Sequence, residues 1–156
     1  MTDDQKFLNI AVRLAINAVK KGGGPFGALI VKDGKIISRS ANMVILTGDP
    51  TAHAEVLSIR KAARKLKTHD LSGSVLYCSC EPCPMCLGAV YWARLSMVVY
   101  AAKRSDAANA GFVDNLIYDE MKLDPAGRKI IFRHLQTDNA SEAFRIWQDK
   151  EDKVPY

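Results

Sequence analysis

No run in this chain of 156 residues approaches the roughly 18 consecutive apolar residues that a membrane-spanning helix needs. The start, Met1-Thr2-Asp3-Asp4-Gln5-Lys6, lacks the charged-then-apolar plan of a secretory leader, and the sequence therefore predicts a soluble cytoplasmic protein. Proline and glycine are sparse, at six and ten residues, and neither low-complexity tracts nor internal repeats occur, which argues against fibrous and disordered classes. Cysteine is limited to four positions, Cys78, Cys80, Cys83 and Cys86, all within one short stretch. A disulfide framework would spread its cysteines to close useful loops, so this clustering points to metal binding instead. The excess of positive charge is mild, at +5. Its densest piece, Arg60, Lys61, Arg64, Lys65 and Lys67, reads as the solvated face of a helix, although a basic footprint also suits nucleic acid.

What is present is an ordinary globular composition, 48% hydrophobic and 25% charged, long enough to build a core without covalent staples. A single domain spanning residues 1–156 is expected. Phe7, Ile10, Ala11, Leu14, Ala15 and Ala18 recur at helical spacing, and the helix should end at Lys20-Lys21-Gly22, where glycine can take a left-handed cap. Ala28-Leu29-Ile30-Val31 and Ile36-Ile37-Ser38 flank Lys32-Asp33-Gly34-Lys35, a strong hairpin signal. A helix is predicted over residues 53–67 with Thr51 as its N-cap, then a strand over Ser74 to Cys78. Pro84 fits the first turn of a further helix running through Trp92, because its missing N–H is unpaired there in any case. Met97 to Ala101 reads as a strand, Ala107–Ala110 and Leu116–Met121 as short helical pieces, Ile130-Ile131-Phe132 as a last strand, and Glu142–Lys150 as a terminal helix. Alternating strands and helices predict an α/β protein, a three-layer α/β/α sandwich around a mixed sheet of about five strands.

The chemistry concentrates in His53-Ala54-Glu55 and Pro82-Cys83-Pro84-Met85-Cys86. One His and two Cys supply three ligands, the number a catalytic zinc uses while keeping water in the fourth position. Cys78 or Cys80 could instead close a structural site, and a bare Cys-x-x-Cys could be a redox pair; the Glu two residues after the His argues against both. Residues i and i+2 lie about 200° apart on a helix, so His53 and Glu55 can converge only around an ion beyond its N-terminus. Cys83 and Cys86, at i and i+3, share a face in a first turn whose dipole favours thiolates. Thiolate and imidazole ligands favour zinc over harder cations.

The order of these two motifs, His-x-Glu and then Pro-Cys-x-x-Cys, is the mark of the zinc nucleobase deaminases. The chain resembles the cytidine and nucleobase deaminase superfamily along nearly its whole length. Gly24-Pro25-Phe26-Gly27-Ala28, Asp49 to Glu55, Ser79 to Cys86, Tyr91-Trp92-Ala93-Arg94 and Ala110-Gly111-Phe112-Val113-Asp114 are together similar to the small bacterial guanine deaminases. That family usually has Gly-Phe-Asp-Asp in the last segment, so Val113 departs from it while Asp114 is retained.

The resemblance implies a cytidine deaminase-like fold and one zinc per subunit on His53, Cys83 and Cys86. It implies hydrolytic deamination of guanine to xanthine and ammonia, with Glu55 moving protons between the attacking water, ring N3 and the leaving amine. Asn42, the backbone of Ala54 and Asp114 would make polar contacts to the base, and Phe26 and Trp92 would enclose its plane. A carboxylate suits guanine, which offers an N1–H beside its amine. Tyr156 would close over the site from the partner of a homodimer, the C-terminal helix and tail (about 139–156) being exchanged between subunits. His69 and His134 have no ligand spacing to the motifs. Guanosine, cytosine and a transfer RNA adenosine remain alternative substrates, and a zinc-stabilised interaction module is the non-enzymatic alternative.

Overall fold

The computed structural model describes residues 2–156, which fall into two compact units, one ending at Asp114 and the other running from Asn115 to Tyr156. In the first unit, helix α1 (Asp3–Lys20) begins with a reciprocal cap in which Thr2 and Gln5 satisfy one another's backbone N–H groups. It ends as the sequence predicts, with Gly22 at φ +81°. Strands β1 (Gly27–Lys32) and β2 (Lys35–Ala41) form the hairpin, with Asp33 and Gly34 both at positive φ, the conformation that matches the twist of the strands. A register shift between Ile30 and Val31, which nothing in the sequence signals, bends this pair. A short helix, α2 (Val44–Thr47), leads to α3 (Ala54–Leu66) and β3 (Ser74–Cys80); α4 (Pro84–Trp92), β4 (Met97–Ala102) and α5 (Arg104–Asn109) complete the unit.

The sheet is mixed and ordered β2-β1-β3-β4, antiparallel except where β3 and β4 run parallel. It has four strands where about five were expected. Ile130-Ile131-Phe132 forms no strand, because a three-residue apolar run has no ladder of its own and nothing among the described residues pairs with it.

Alternation along the central strands builds two half-cores. Ala28, Ile30, Leu76 and Cys78 face one side and pack with Ala54 and Ala62 of α3 and Val90 of α4. Leu29, Val31 and Tyr77 face the other and pack with Ala11, Phe7 and Ile10 of α1. Helices thus cover both faces, as expected of an α/β/α sandwich. The closest approach is at Gly27, where an added Cβ would lie 2.3 Å from the Ala11 carbonyl oxygen, so no larger residue fits between α1 and β1.

The second unit holds α6 (Asn115–Met121), a 3₁₀ turn (Pro125–Gly127) and α7 (Glu142–Asp149). None of its residues is buried. No helix among the described residues is long and apolar enough to cross a membrane.

Candidate active site

Two helix N-termini meet on the α3 and α4 side of the sheet. Helix α3 starts one residue after His53, which takes the N-cap position in place of Thr51. Thr51 is drawn off by Asp49, whose Oδ1 accepts both its backbone N–H and its hydroxyl, and so it belongs to a turn before the helix. Cys83 is likewise the N-cap of α4, with Pro84 at the first helical position. Neither N-cap side chain bonds its own helix, so the first-turn N–H groups are left for whatever stands beyond them.

His53 Nδ1 lies 3.6 Å from Cys83 Sγ and 3.5 Å from Cys86 Sγ. A tetrahedral zinc with bonds of about 2.3 Å to sulfur and about 2.1 Å to nitrogen would set such atoms about 3.6 Å apart. All three ligand atoms lie within 4.8 Å of one another, and the residues present therefore fit zinc. The Cys86 thiol and the His53 ring hold Cys83 well below the thiol range, at about 4. Its charge in turn raises His53, and the hydrogen bond to Cys83 together with burial pushes Cys86 up. A cation at the centre would favour the thiolate forms of both cysteines and displace protons they hold.

The other two cysteines are committed elsewhere. Cys78 Sγ approaches the Val99 carbonyl and Cys80 Sγ the Lys103 carbonyl, and burial pushes both thiols up. Neither joins the ligand group, which leaves three protein ligands and an open position, the pattern of a catalytic rather than a structural site.

Glu55, at the second position of α3, is 5% exposed, and its Oε2 has no hydrogen-bond partner. Burial raises its carboxyl above the ordinary range, with Cys83 adding to the effect and His53 opposing it. Asp114 repeats the pattern. Its Oδ1 is buried and unpartnered, burial raises its carboxyl, Arg104 opposes that, and the charges of Cys83 and Glu81 reinforce it. Cys83 thus acts on both carboxylates, and Asp114 stands within its electrostatic reach.

Asn42 is buried, and its Oδ1 accepts the Val44 N–H at the start of α2, so the side-chain oxygen is spent on a turn. The amide also fills the space over Gly24, where a Cβ would meet Asn42 Oδ1 at 2.9 Å. Ala54 is fully buried in the first turn of α3. Phe26 stacks edge-on against Phe112, ring centres 5.0 Å apart, which joins two of the segments that the sequence singles out. Trp92 is placed differently. It ends α4, nine residues long and hence about 13 Å from the Cys83 end, and is 68% exposed, so within one chain it does not stand beside the ligands. Tyr156 lies in the second unit, 73% exposed, edge-on to Trp147 at 6.4 Å.

Two features of this region escape the sequence reading. Glu81 accepts the Arg104 N–H, linking the cysteine turn to α5. Lys61 and Lys65 of the basic helix donate to the carbonyls of Arg39 and Ile37 on the edge strand β2, which gives part of that positive face an intramolecular role.

Residues 1–102 match the family described as the cytidine and deoxycytidylate deaminase zinc-binding region. The chain is 49% identical over 153 residues to the guanine deaminase of Bacillus subtilis (strain 168), covering 97% of this chain and 98% of that one. A crystal structure of the guanine deaminase from Bacillus subtilis superposes with a TM-score of 0.95 over 97% of this chain and 98% of the other. A tRNA-specific adenosine deaminase of Aquifex aeolicus is 40% identical over 87% of each chain. A solved guanine deaminase from Nitrosomonas europaea, 34% identical, superposes with a TM-score of 0.67 over 69% of this chain and 63% of that one.

Proposed function

This chain belongs to the cytidine and deoxycytidylate deaminase family, and from that premise we propose that it hydrolyses guanine to xanthine and ammonia. The observation that carries this reading is the pair of buried, unpartnered carboxylate oxygens, Glu55 Oε2 and Asp114 Oδ1, both under the influence of the His53, Cys83 and Cys86 cluster. A buried carboxylate without a partner is costly, and a ligand with N–H donors and a proton to move is what satisfies it.

His53, Cys83 and Cys86 would hold the zinc, which when bound would supply a Lewis acid able to bring the pKa of a water toward about 7. Glu55 takes the proton of the attacking water, because burial raises its carboxyl and so makes it a better proton acceptor than an exposed carboxylate. It hands that proton to ring N3 as C2 is attacked, and carries a second one to the departing amine. One carboxylate serves both transfers, so the base is bound within reach of its single free oxygen.

Asp114 accepts from N1–H and the exocyclic amine of the base, a donor pair that cytosine and adenine do not offer. The Asn42 amide nitrogen and the Ala54 N–H serve the remaining acceptors, and Phe26, held by Phe112, forms one wall. Trp92 and Tyr156 complete the enclosure from a second copy of the chain. The C-terminal helix and tail, from about residue 139, are exchanged between two subunits, and the exposed apolar side chains of α7, Phe144, Ile146 and Trp147, are the surface that supports this. The enzyme is read as a cytoplasmic homodimer.

The test is ammonia release by zinc-loaded protein offered guanine, guanosine, cytosine, cytidine, adenosine and a transfer RNA in parallel, with light scattering for the dimer. Turnover of guanine, lost in Glu55→Ala, is expected. Turnover of guanosine or of transfer RNA alone would replace the substrate while keeping the chemistry, and no ammonia from any of them would sink the enzymatic reading.

A further inference from the structure

The turn that carries Cys83 and the segment that carries Asp114 are separate in sequence, yet one side chain ties them. The Glu81 N–H donates to the Ala102 carbonyl at 2.9 Å, extending the β3–β4 pairing one step past Cys80 and Ala102. Its Oε2 accepts the N–H of Arg104, the first residue of α5, at 3.1 Å. Helix α5 has six residues, too short to hold itself, and already has a local cap, because Asp106 Oδ2 accepts the Lys103 N–H at 2.8 Å. The second carboxylate is therefore more than a cap, since it comes from the cysteine turn and fixes where α5 starts relative to Cys83.

From α5 the path to Asp114 is short and constrained. Gly111, at φ +91°, reverses the chain, the Phe112 N–H returns to the Ala107 carbonyl at 3.0 Å, and the Phe112 ring is wedged edge-on against Phe26. Any shift of the start of α5 is passed through this path to Asp114.

We infer that Glu81 is a positioning residue for substrate recognition, setting the place of Asp114 relative to the Cys83 turn through its hydrogen bond to the Arg104 backbone. The inference rests on Asp114 reading the base. Loss of the bond then loosens recognition and leaves the metal and the proton carrier where they are.

The test compares wild type, Glu81→Ala and Glu81→Gln for guanine turnover, zinc content and amide hydrogen exchange at Arg104 and Phe112. In Glu81→Ala the KM is expected to rise about tenfold with kcat within about twofold, zinc at one per chain, and faster exchange at both amides. Gln keeps an acceptor of the same length and should restore KM and protection. In an Asp114→Asn background the removal of Glu81 should add little, because both act through one contact. Unchanged KM and exchange in Glu81→Ala, a KM rise that tracks zinc loss, a Gln variant no better than Ala, or full additivity with Asp114→Asn would each overturn the assignment. Should the Ala variant fail to fold, Glu81→Asp, one methylene too short, is expected to show the KM rise that Gln does not. Absence of guanine turnover in wild type would fail the proposed function instead, while the exchange comparison would still decide whether Glu81 holds α5.

Discussion

Around His53 and Cys86 the first unit is tightly packed, with Ala54, Cys86 and Ser58 fully buried. Residues 115–156 do the reverse: Ile131 is 89% exposed, and Ile130, Phe132, Leu135 and Phe144 are exposed with it. The first region is assembled by its own sheet, whose half-cores fix both helix N-termini. The second carries many apolar side chains and buries none of them fully. On the proposed function the contrast separates two tasks: proton transfer and reading of the base need groups held still, as Glu55 and Asp114 are in the first unit, whereas closure by Tyr156 is left to an exposed surface.

If the division is real, its two sides break differently. Glu55→Ala should cost the most, about 10²–10⁴-fold in kcat, with zinc retained by metal analysis. A loss of zinc in that variant would show that the carboxylate holds the centre instead of serving it. Asp114→Asn should lower kcat/KM by about tenfold to a hundredfold, chiefly through KM, as expected for losing a charged hydrogen-bond acceptor. A change in kcat alone would move Asp114 from recognition into the chemistry. Tyr156→Ala should raise KM by about tenfold or less, with the thermal midpoint of the protein unchanged, because the side chain is exposed. A drop in that midpoint would make the tail part of the fold.

The smallest effect is confined to the packed unit. Burial, aided by Asp4, pushes the Tyr77 phenol up to about 12. The folded chain then holds this proton more tightly than the unfolded chain, whose phenol titrates near 10. The stabilisation is full below pH ~10 and is lost as pH rises toward ~12. Denaturant unfolding of Tyr77→Phe should show a shallower decline over that window with guanine turnover unchanged at neutral pH. An equally steep decline would place the alkaline sensitivity elsewhere.

Much of the ligand cluster was legible because it is local. His53, Cys83 and Cys86 sit in two short motifs whose spacing places them at helix N-termini, and Asp33-Gly34 announces its hairpin. The rest failed where the answer lay in tertiary structure. Thr51 has the chemistry of a cap and lost the position to His53, since Asp49 engages it first. Ile130-Ile131-Phe132 has strand composition and no partner ladder. Glu81 stood in plain view inside the cysteine motif and meant nothing until its acceptor role toward Arg104 was visible.

The two lysines that α3 extends over β2 close off one edge of the sheet. A sheet ordinarily offers two margins to a neighbour, but Lys61 and Lys65 occupy the carbonyls of alternate residues, Arg39 and Ile37, along one of them. A margin whose carbonyls are already taken offers an incoming strand few acceptors, so β2 is a poor template for strand addition.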